Sequence, residues 1–345
     1  MNSINLVQSN VDSLPPPNSD IALWAKLAAN GSSPPLTSPL SSCQTEPQTE
    51  PLPKLRARRR AAGPGFWLRE TLLSRWKSYQ ERLEECQKKP TVESIHQLRV
   101  ASRRLISQFV LLSQILPIRN GEKARKILKR QLESLGALRD TQVQQIFIKR
   151  QVVRFPDLAG VLNRLERSEA FLVKRASRKI CAVKTKKLQK WIWGIVKVFE
   201  QQALNRRLEG ELASSALSSA GAAFAEVVQR WRMIDRRDVR TIHRTRVAFK
   251  KFRYIVECLP PELSGFGGSE LRTLARYQRR MGNIQDFDVI LGSVQSFMKH
   301  HEHSHLKAFC RYFGNRRTRA VREFLKTSNR LFEFWPPRTI SQTSD

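Results

Sequence analysis

Two segments far apart in the chain each carry a histidine followed by basic residues at helical spacing. In the first, His96, Arg99 and Arg103 are three and four residues apart. On an α-helix, which turns about 100° per residue, these side chains lie within about 60° of one another and span roughly 10 Å along the axis. A guanidinium grips two phosphate oxygens and an ammonium one, so the row suits successive phosphate groups along a strand. A histidine beside such anions tends to be protonated and adds a donor.

The second segment repeats this row with His243, Arg246 and Lys250. Neither row contains a carboxylate, whereas a solvated helix face usually mixes acids and bases as i,i+4 pairs. The pattern therefore predicts anion binding. Two plainer interpretations stay open, an ordinary solvated helix face and a buried histidine with a structural role.

More basic residues follow on the next segment of each copy. The candidates for the same site are Lys126, Arg130, Arg139, Arg272, Arg276 and Arg279. Asp140 and Asp286 are acids among these bases, and we expect them to orient a neighbouring arginine or to cap a helix.

The two basic rows belong to an internal repeat. Residues 95–104 are echoed by residues 242–251 at an offset of 147, and residues 135–143 by residues 281–289 at an offset of 146. Two motifs in the same order at nearly one offset indicate two copies of a helical unit. We expect each copy to resemble a four-helix bundle, and the two to be related by an approximate two-fold axis.

Apolar residues recur three and four positions apart from Phe66 onward, and strand-like alternation is absent. This period predicts an all-α fold of roughly ten helices. Glycines and prolines punctuate the pattern, and we expect helix ends at positions that include Pro90, Gly136, Gly210 and Gly282.

The chain holds 62 Lys and Arg against 30 Asp and Glu, a net charge of +32 that favours a polyanionic partner. Residues 1–53 depart from this balance, with four acids and one base in a Pro- and Ser-rich composition typical of disorder. We predict three parts: a disordered tail and basic linker over 1–65, a helical domain over 66–337 with repeats at about 66–205 and 211–337, and a short tail over 338–345.

The pattern His-x-x-Arg-Val-x-x-Arg-Arg, followed about 40 residues later by Gly-x-x-Arg-Asp and then repeated, resembles the CHAD-domain family over about residues 66–337. The resemblance implies two pseudo-symmetric helical bundles around a central basic cavity that binds inorganic polyphosphate. The ligand contacts that it implies are His96, Arg99, Arg103, Arg104, His243, Arg246, Lys250 and Lys251, with Arg253 and Tyr254 nearby. The second copy departs from the first, since Lys250 and Lys251 replace two arginines and Gln285 stands in the place of Arg139. We do not expect Gln285 to bind.

Two other functions compete with polyphosphate binding. Non-specific nucleic-acid binding is open to any protein this basic, although no zinc-finger spacing or RNP-type motif is present. Phosphoanhydride hydrolysis or transfer usually needs Mg²⁺ on clustered carboxylates and a phosphate-binding Gly-rich loop, and the sequence shows neither. We therefore expect a non-catalytic protein without a cofactor, and its oligomeric state stays open.

The same reading gives expectations about metals, membranes and compartment. The run His300–His305 is interpreted as an exposed polar linker and not as a metal site, because no further ligands share its spacing. No apolar run approaches the roughly 20 residues of a membrane span, and we expect no membrane partner. Five scattered cysteines fit a reducing cytoplasm. Polyphosphate binding there is compatible with association with polyphosphate granules, and whether it serves targeting, storage or regulation stays open.

Overall fold

The computed structural model describes residues 63–335, except for 117, 119, 184, 203–205 and 300–305. Nearly all of the predicted tail and linker and the short C-terminal tail lie outside the described residues, as does the histidine run. The first helix begins at Pro64, two residues before the predicted start of the helical domain.

The predicted all-α fold is confirmed. The described residues form eleven α-helices and one 3₁₀-helix: α1 (Pro64–Lys88), α2 (Val92–Ile115), α3 (Gly121–Ser134), α4 (Gly136–Gln151), α5 (Leu158–Cys181), α6 (Thr185–Gln202), α7 (Arg206–Arg232), α8 (Val239–Val256), α9 (Pro261–Ser264), α10 (Gly268–Met298), α11 (Leu306–Leu325) and η1 (Ser328–Glu333). Within the described ranges, no helix combines the length and the apolarity that crossing a bilayer would require.

The two helices that carry the histidine rows, α2 and α8, both begin at a side-chain cap. Before α2, Thr91 Oγ1 accepts a hydrogen bond from the Ser94 amide at 3.0 Å, and Ser94 Oγ accepts one from the Thr91 amide at 2.8 Å. Before α8, Asp238 Oδ1 accepts a hydrogen bond from the Arg240 amide at 3.0 Å. Such caps satisfy amides that have no partner within the helix. Each row therefore starts from a defined first turn.

The two repeats differ where a glycine follows the histidine row. Gly136 begins α4 directly after a break at Leu135, as predicted. The predicted breaks at Gly210 and Gly282 are wrong, because these residues lie inside α7 and α10. A glycine inside a helix costs about 1 kcal/mol relative to alanine, which tertiary packing can outweigh. The single helix α10 thus takes the place of α3 and α4.

The apolar core is divided into two clusters. The larger cluster lies around α1, α2, α7 and α8, and Phe109, Phe249 and Phe252 are fully buried in it. The second cluster consists of Phe147, Ile148, Leu158, Val161, Ile290, Leu291, Val294, Phe297, Leu306, Phe309 and Phe313. Its first four members come from α4 and α5 and the others from α10 and α11. Both repeats therefore contribute to one core.

Helix α2 packs against α8, and an arginine of α1 contacts the middle of α2 and the end of α8. Arg75 Nη1 donates to the carbonyl oxygen of Arg104 at 2.8 Å and to Cys258 Sγ at 3.0 Å. Arg75 Nη2 donates to the carbonyl oxygen of Glu257 at 3.0 Å. One guanidinium therefore joins α1, α2 and the end of α8, and with them the two repeats.

We expect Arg75→Met to lower the free energy of unfolding by about 2 kcal/mol, because it leaves partly buried carbonyl oxygens without their donors. Arg82→Met is the matched control on the same helix. Among the described residues, Arg82 makes only a local pair with Glu85 at 2.8 Å, and its loss should cost less than about 1 kcal/mol. Urea unfolding followed by circular dichroism measures both, and equal effects would show that Arg75 does not hold the repeats together.

Candidate anion-binding site

The row on α2 is buried. His96, Arg99 and Arg103 all lie in the protein interior, and only 3% of Arg99 is exposed. Removing a cation from water is unfavourable by several kcal/mol unless hydrogen bonds and opposite charges compensate. A solvated helix face is therefore excluded for these three residues.

Arg99 is held by the end of the next helix. Its Nη1 donates a hydrogen bond to the carbonyl oxygen of Leu132 at 2.7 Å, in the last turn of α3. The carbonyl end of a helix carries a partial negative charge, which stabilises a guanidinium. One of the five donors of Arg99 thus has a structural acceptor.

A carboxyl group lies among the arginines of this first cluster, which we define as His96, Arg99, Arg103, Arg139 and Asp140. Burial raises the pKa of Asp140 to about 7, although Arg99, Arg103 and Arg139 act in the opposite direction. Arg139, from the first turn of α4, is itself buried. The expectation that Asp140 accompanies neighbouring arginines agrees with this arrangement.

The second cluster, which we define as His243, Arg246, Lys250 and Gln285, lies between α8 and α10. Only 1% of Arg246 is exposed, and Lys250 is buried as well. The guanidinium passes so close to α10 that a Cβ on Gly282 would be 3.4 Å from Arg246 Nε. The glycine that was predicted to end a helix instead leaves room for an arginine.

The surroundings of His243 affect its protonation in the absence of a bound anion. Burial lowers the pKa of His243, and the charge of Arg246 lowers it further, while a hydrogen bond with the side chain of Gln285 acts in the opposite direction. These effects together favour the neutral imidazole in the ligand-free protein. Gln285, which replaces the Arg139 of the first copy, serves as the partner of this histidine.

The contact region between α2 and α8, called the seam below, contains three further predicted residues, Arg104, Arg253 and Tyr254. Arg253 Nε lies 3.0 Å from Glu257 Oε1, and Arg104 Nε lies 3.6 Å from Glu257 Oε2. The Arg253 guanidinium also lies over the ring of buried Tyr254, 5.0 Å from its centroid. One carboxylate thus approaches a cation from each repeat, and these arginines are tied to the structure of the seam.

The remaining predicted residues lie nearer the surface. Lys251 is exposed, and its Nζ is 2.9 Å from Glu226 Oε2 on α7. On α3 and α10, the exposed residues are Lys126, Arg130, Arg272 and Arg276, and Arg279 is half-buried. The structure does not place these side chains in the two buried rows. That the two clusters line one central cavity stays a prediction.

Sequence reasoning did not name Glu257 or Gly282 as part of the site. Glu257 follows Arg253 by four residues, and this spacing could have predicted the ion pair between them. The contact of Glu257 with Arg104 could not be predicted in this way, because it depends on how the helices pack. Gly282 stands opposite Arg246 only because α10 continues through it. Among the described residues, no group of three or more His, Cys, Asp or Glu side chains is arranged to hold a metal ion.

We expect Gly282→Leu to destabilise the fold, because its side chain would displace the Arg246 guanidinium from its place against α10. Gly292→Leu is the matched control on the same helix, since no atom lies within 4 Å of a Cβ there and leucine has the higher helix propensity. Thermal unfolding should show a lower midpoint for Gly282→Leu and an equal or higher midpoint for Gly292→Leu. A stable Gly282→Leu protein would mean that Arg246 does not depend on this contact.

Comparison with known proteins agrees with the fold and the motif. The crystal structure of the CHAD domain from the plant Ricinus communis matches with a TM-score of 0.53 and 18% identity, over 78% of this chain and 87% of that one. At this identity the likeness concerns the fold alone. The comparison with curated proteins found no match.

The model of the CHAD domain matches residues 69–295, about two thirds of the chain. Both histidine rows and both glycine motifs lie within this range. The chain belongs to the CHAD-domain family.

Proposed function

We propose that the protein binds inorganic polyphosphate through its two buried basic clusters and does not hydrolyse it. The observation that carries the proposal is the burial of cations at equivalent positions of α2 and α8. Arg99 and Arg246 correspond in the repeat, and each is almost completely buried. Two ordinary solvated helix faces would leave these arginines exposed to water, so they do not explain why both are buried.

The charges of the first cluster favour an anionic ligand. Three arginines accompany one carboxyl group, and that carboxyl group titrates near pH 7. The cluster therefore keeps a surplus of positive charge whether Asp140 is ionised or not. A phosphate chain supplies the opposite charge and accepts charge-assisted hydrogen bonds from several guanidinium groups at once.

A phosphate polymer can contact both clusters at the same time, whereas a single phosphate can contact only one. Helices α2 and α8 pack against each other, so both rows belong to one rigid unit. A chain that occupies one cluster meets the second at a high effective concentration, which raises its overall affinity without new contacts. The central basic cavity implied by the family resemblance would join the two clusters in this way.

The depth of the rows favours inorganic polyphosphate over nucleic acid. A nucleic acid carries a sugar and a base on every phosphate, whereas polyphosphate is a slim chain that presents oxygens on all sides. Side chains as enclosed as Arg99 and Arg246 are better suited to the slimmer polymer. Nucleic acid would be held by exposed basic side chains outside these two clusters, through counterion release.

The chemistry of the clusters supports binding without catalysis. Phosphoanhydride cleavage normally recruits Mg²⁺ through ionised carboxylates. Asp140 interacts electrostatically with Arg99, Arg103 and Arg139, and its raised pKa makes it a weak metal ligand at neutral pH. A location at polyphosphate granules in the cytoplasm is part of the same proposal.

We expect Arg99→Gln combined with Arg246→Gln to weaken polyphosphate binding by about a hundredfold. Each lost charge-assisted hydrogen bond costs at least about 1.5 kcal/mol, and 1.4 kcal/mol corresponds to a factor of ten. The matched control, Lys123→Gln with Lys326→Gln, removes the same charge from exposed positions. Affinity is measured by titrating labelled polyphosphate into the full chain at about 150 mM salt, where screening is strong beyond about 8 Å.

Arg103→Gln with Lys250→Gln is the second variant pair, in case the loss of the Arg99 contact to α3 prevents folding. Equal losses in the buried and exposed pairs would show that net charge alone causes binding. Displacement of polyphosphate by RNA at equal phosphate concentration would favour the nucleic-acid alternative. Orthophosphate release in the presence of Mg²⁺ would contradict the non-catalytic role.

The pKa of Asp140 predicts tighter polyphosphate binding at lower pH. Above about pH 7 its carboxylate is ionised and competes with phosphate oxygens for Arg99, Arg103 and Arg139, and below that value it is neutral. Affinity should therefore rise as the pH falls from 8 to 6. The Asp140→Asn variant should bind polyphosphate more tightly than the unchanged protein at pH 8, and its affinity should no longer change around pH 7. The control variant Asp157→Asn, at an exposed position, should keep the pH dependence of the unchanged protein.

The raised pKa of Asp140 also predicts how the stability of the ligand-free protein changes with pH. Because the folded pKa of Asp140 lies above its ordinary value of about 4, its contribution to stability is fully present below pH 4 and is lost as the pH rises through 7. Asp140→Asn should remove this decline from the pH profile of urea unfolding. An unchanged profile would show that Asp140 does not titrate in this range.

A further inference from the structure

A second basic surface lies on the outside of the protein, along α5. We define the α5 outer face as Arg164, Arg167, Phe171, Lys174, Arg175 and Arg178, all of which are exposed. At about 100° per residue, the five cations lie within about 60° of the direction of Phe171, and the stripe is roughly 21 Å long. The opposite side of α5 is anchored in the protein by buried Leu158, Val161, Ala176 and Ile180. The orientation of the stripe toward solvent is therefore fixed by packing.

The cations of this face have no carboxylate partners among the described residues. Arg167 Nε and Arg178 Nε donate only to carbonyl oxygens of their own helix, at 3.3 and 3.4 Å. Exposed bases on α1 and α3 behave differently, since Lys88 pairs with Glu84 at 2.7 Å and Lys129 with Glu133 at 3.7 Å. Like charges one turn apart destabilise a helix. An external polyanion would relieve this repulsion.

An aromatic ring stands in the middle of the charges. Phe171 is 63% exposed, which is unusual for a large apolar side chain and unfavourable in water. Proteins that bind single-stranded nucleic acid combine a basic track for the phosphates with aromatic side chains on which bases stack. Inorganic polyphosphate has no base to stack on the ring. An anionic membrane would need a broad apolar face, and Phe171 is the only apolar member of this stripe.

The next helix repeats the arrangement independently. On α6, Trp193 is 49% exposed, and Lys186, Lys190 and Lys197 lie within about 60° of it and have no ion pair among the described residues. Helices α5 and α6 are consecutive, and both pack against α1 and α3. Glu200 on the same face pairs with Arg69 of α1 at 3.6 Å. Each helix therefore offers one exposed ring flanked by cations.

We propose that the outer faces of α5 and α6 bind single-stranded nucleic acid, with Phe171 and Trp193 as stacking platforms and the basic residues as phosphate contacts. This surface is separate from the two buried clusters, and the inference does not rest on the proposed function. Sequence preference is expected to be weak, because every base has a face that can stack.

The test measures binding of a labelled single-stranded RNA of about 15 nucleotides to the full chain by fluorescence anisotropy. Phe171→Ala and Trp193→Ala should each weaken binding about tenfold. Phe332→Ala is the matched control, since Phe332 is also exposed but lies on η1, away from both helices. Binding of duplex RNA should change little in either ring variant, because its bases are already stacked.

A charge variant tests the phosphate contacts. Arg167→Gln with Arg175→Gln should reduce the dependence of RNA affinity on salt, whereas Lys123→Gln with Lys326→Gln should leave it nearly unchanged. Polyphosphate affinity should stay the same in Phe171→Ala, and RNA affinity should survive Arg99→Gln with Arg246→Gln. These measurements can thus contradict the proposed RNA site without contradicting the proposed polyphosphate site, and the reverse.

Three outcomes would overturn the inference. Unchanged RNA affinity in both ring variants would show that the rings do not stack on bases. Equal losses of RNA and polyphosphate affinity in Phe171→Ala would indicate a general effect on the protein. Binding to vesicles with anionic lipid that is lost in the ring variants, without a loss of RNA binding, would assign the surface to membranes.

Discussion

The burial of like charges inside a helical protein is the constraint on which the rest of the structure depends. Arg99 and Arg246 are as enclosed as the phenylalanines of the core. Neither is tolerable without local compensation, and the fold supplies it from neighbouring elements. The carbonyl end of α3 accepts a hydrogen bond from Arg99, and the groove at Gly282 gives Arg246 access to α10.

The two repeats meet this constraint with different local structures. In the first, the break between α3 and α4 provides both a helix end for Arg99 and the position of Asp140. In the second, α10 is continuous, so no carbonyl end is offered at that place, and His243 bonds with Gln285 in a cluster that has two cations, Arg246 and Lys250, instead of three. The clusters are therefore related by sequence but differ in their number of cations. A symmetric ligand would be held by an asymmetric site.

The sequence predicted the helical class, the repeat and the face on which each basic row lies, because periodicity depends only on neighbours within one helix. It did not predict that the rows are buried. The absence of carboxylates argued against an ordinary solvated face but did not show which element covers it, and what covers Arg99 is α3, more than thirty residues away. The contact of Arg104 with Glu257 and the continuity of α10 through Gly282 likewise depend on tertiary packing, which overrides local propensity.

The core shared by α4, α5, α10 and α11 has a consequence for how the protein is made. During synthesis, the first repeat leaves the ribosome with Phe147, Ile148 and Leu158 complete but without the residues of α10 and α11 that cover them. At about 5–20 residues per second, this apolar surface waits on the order of ten seconds for its partners. Throughout that interval the exposed apolar surface of the nascent chain favours aggregation.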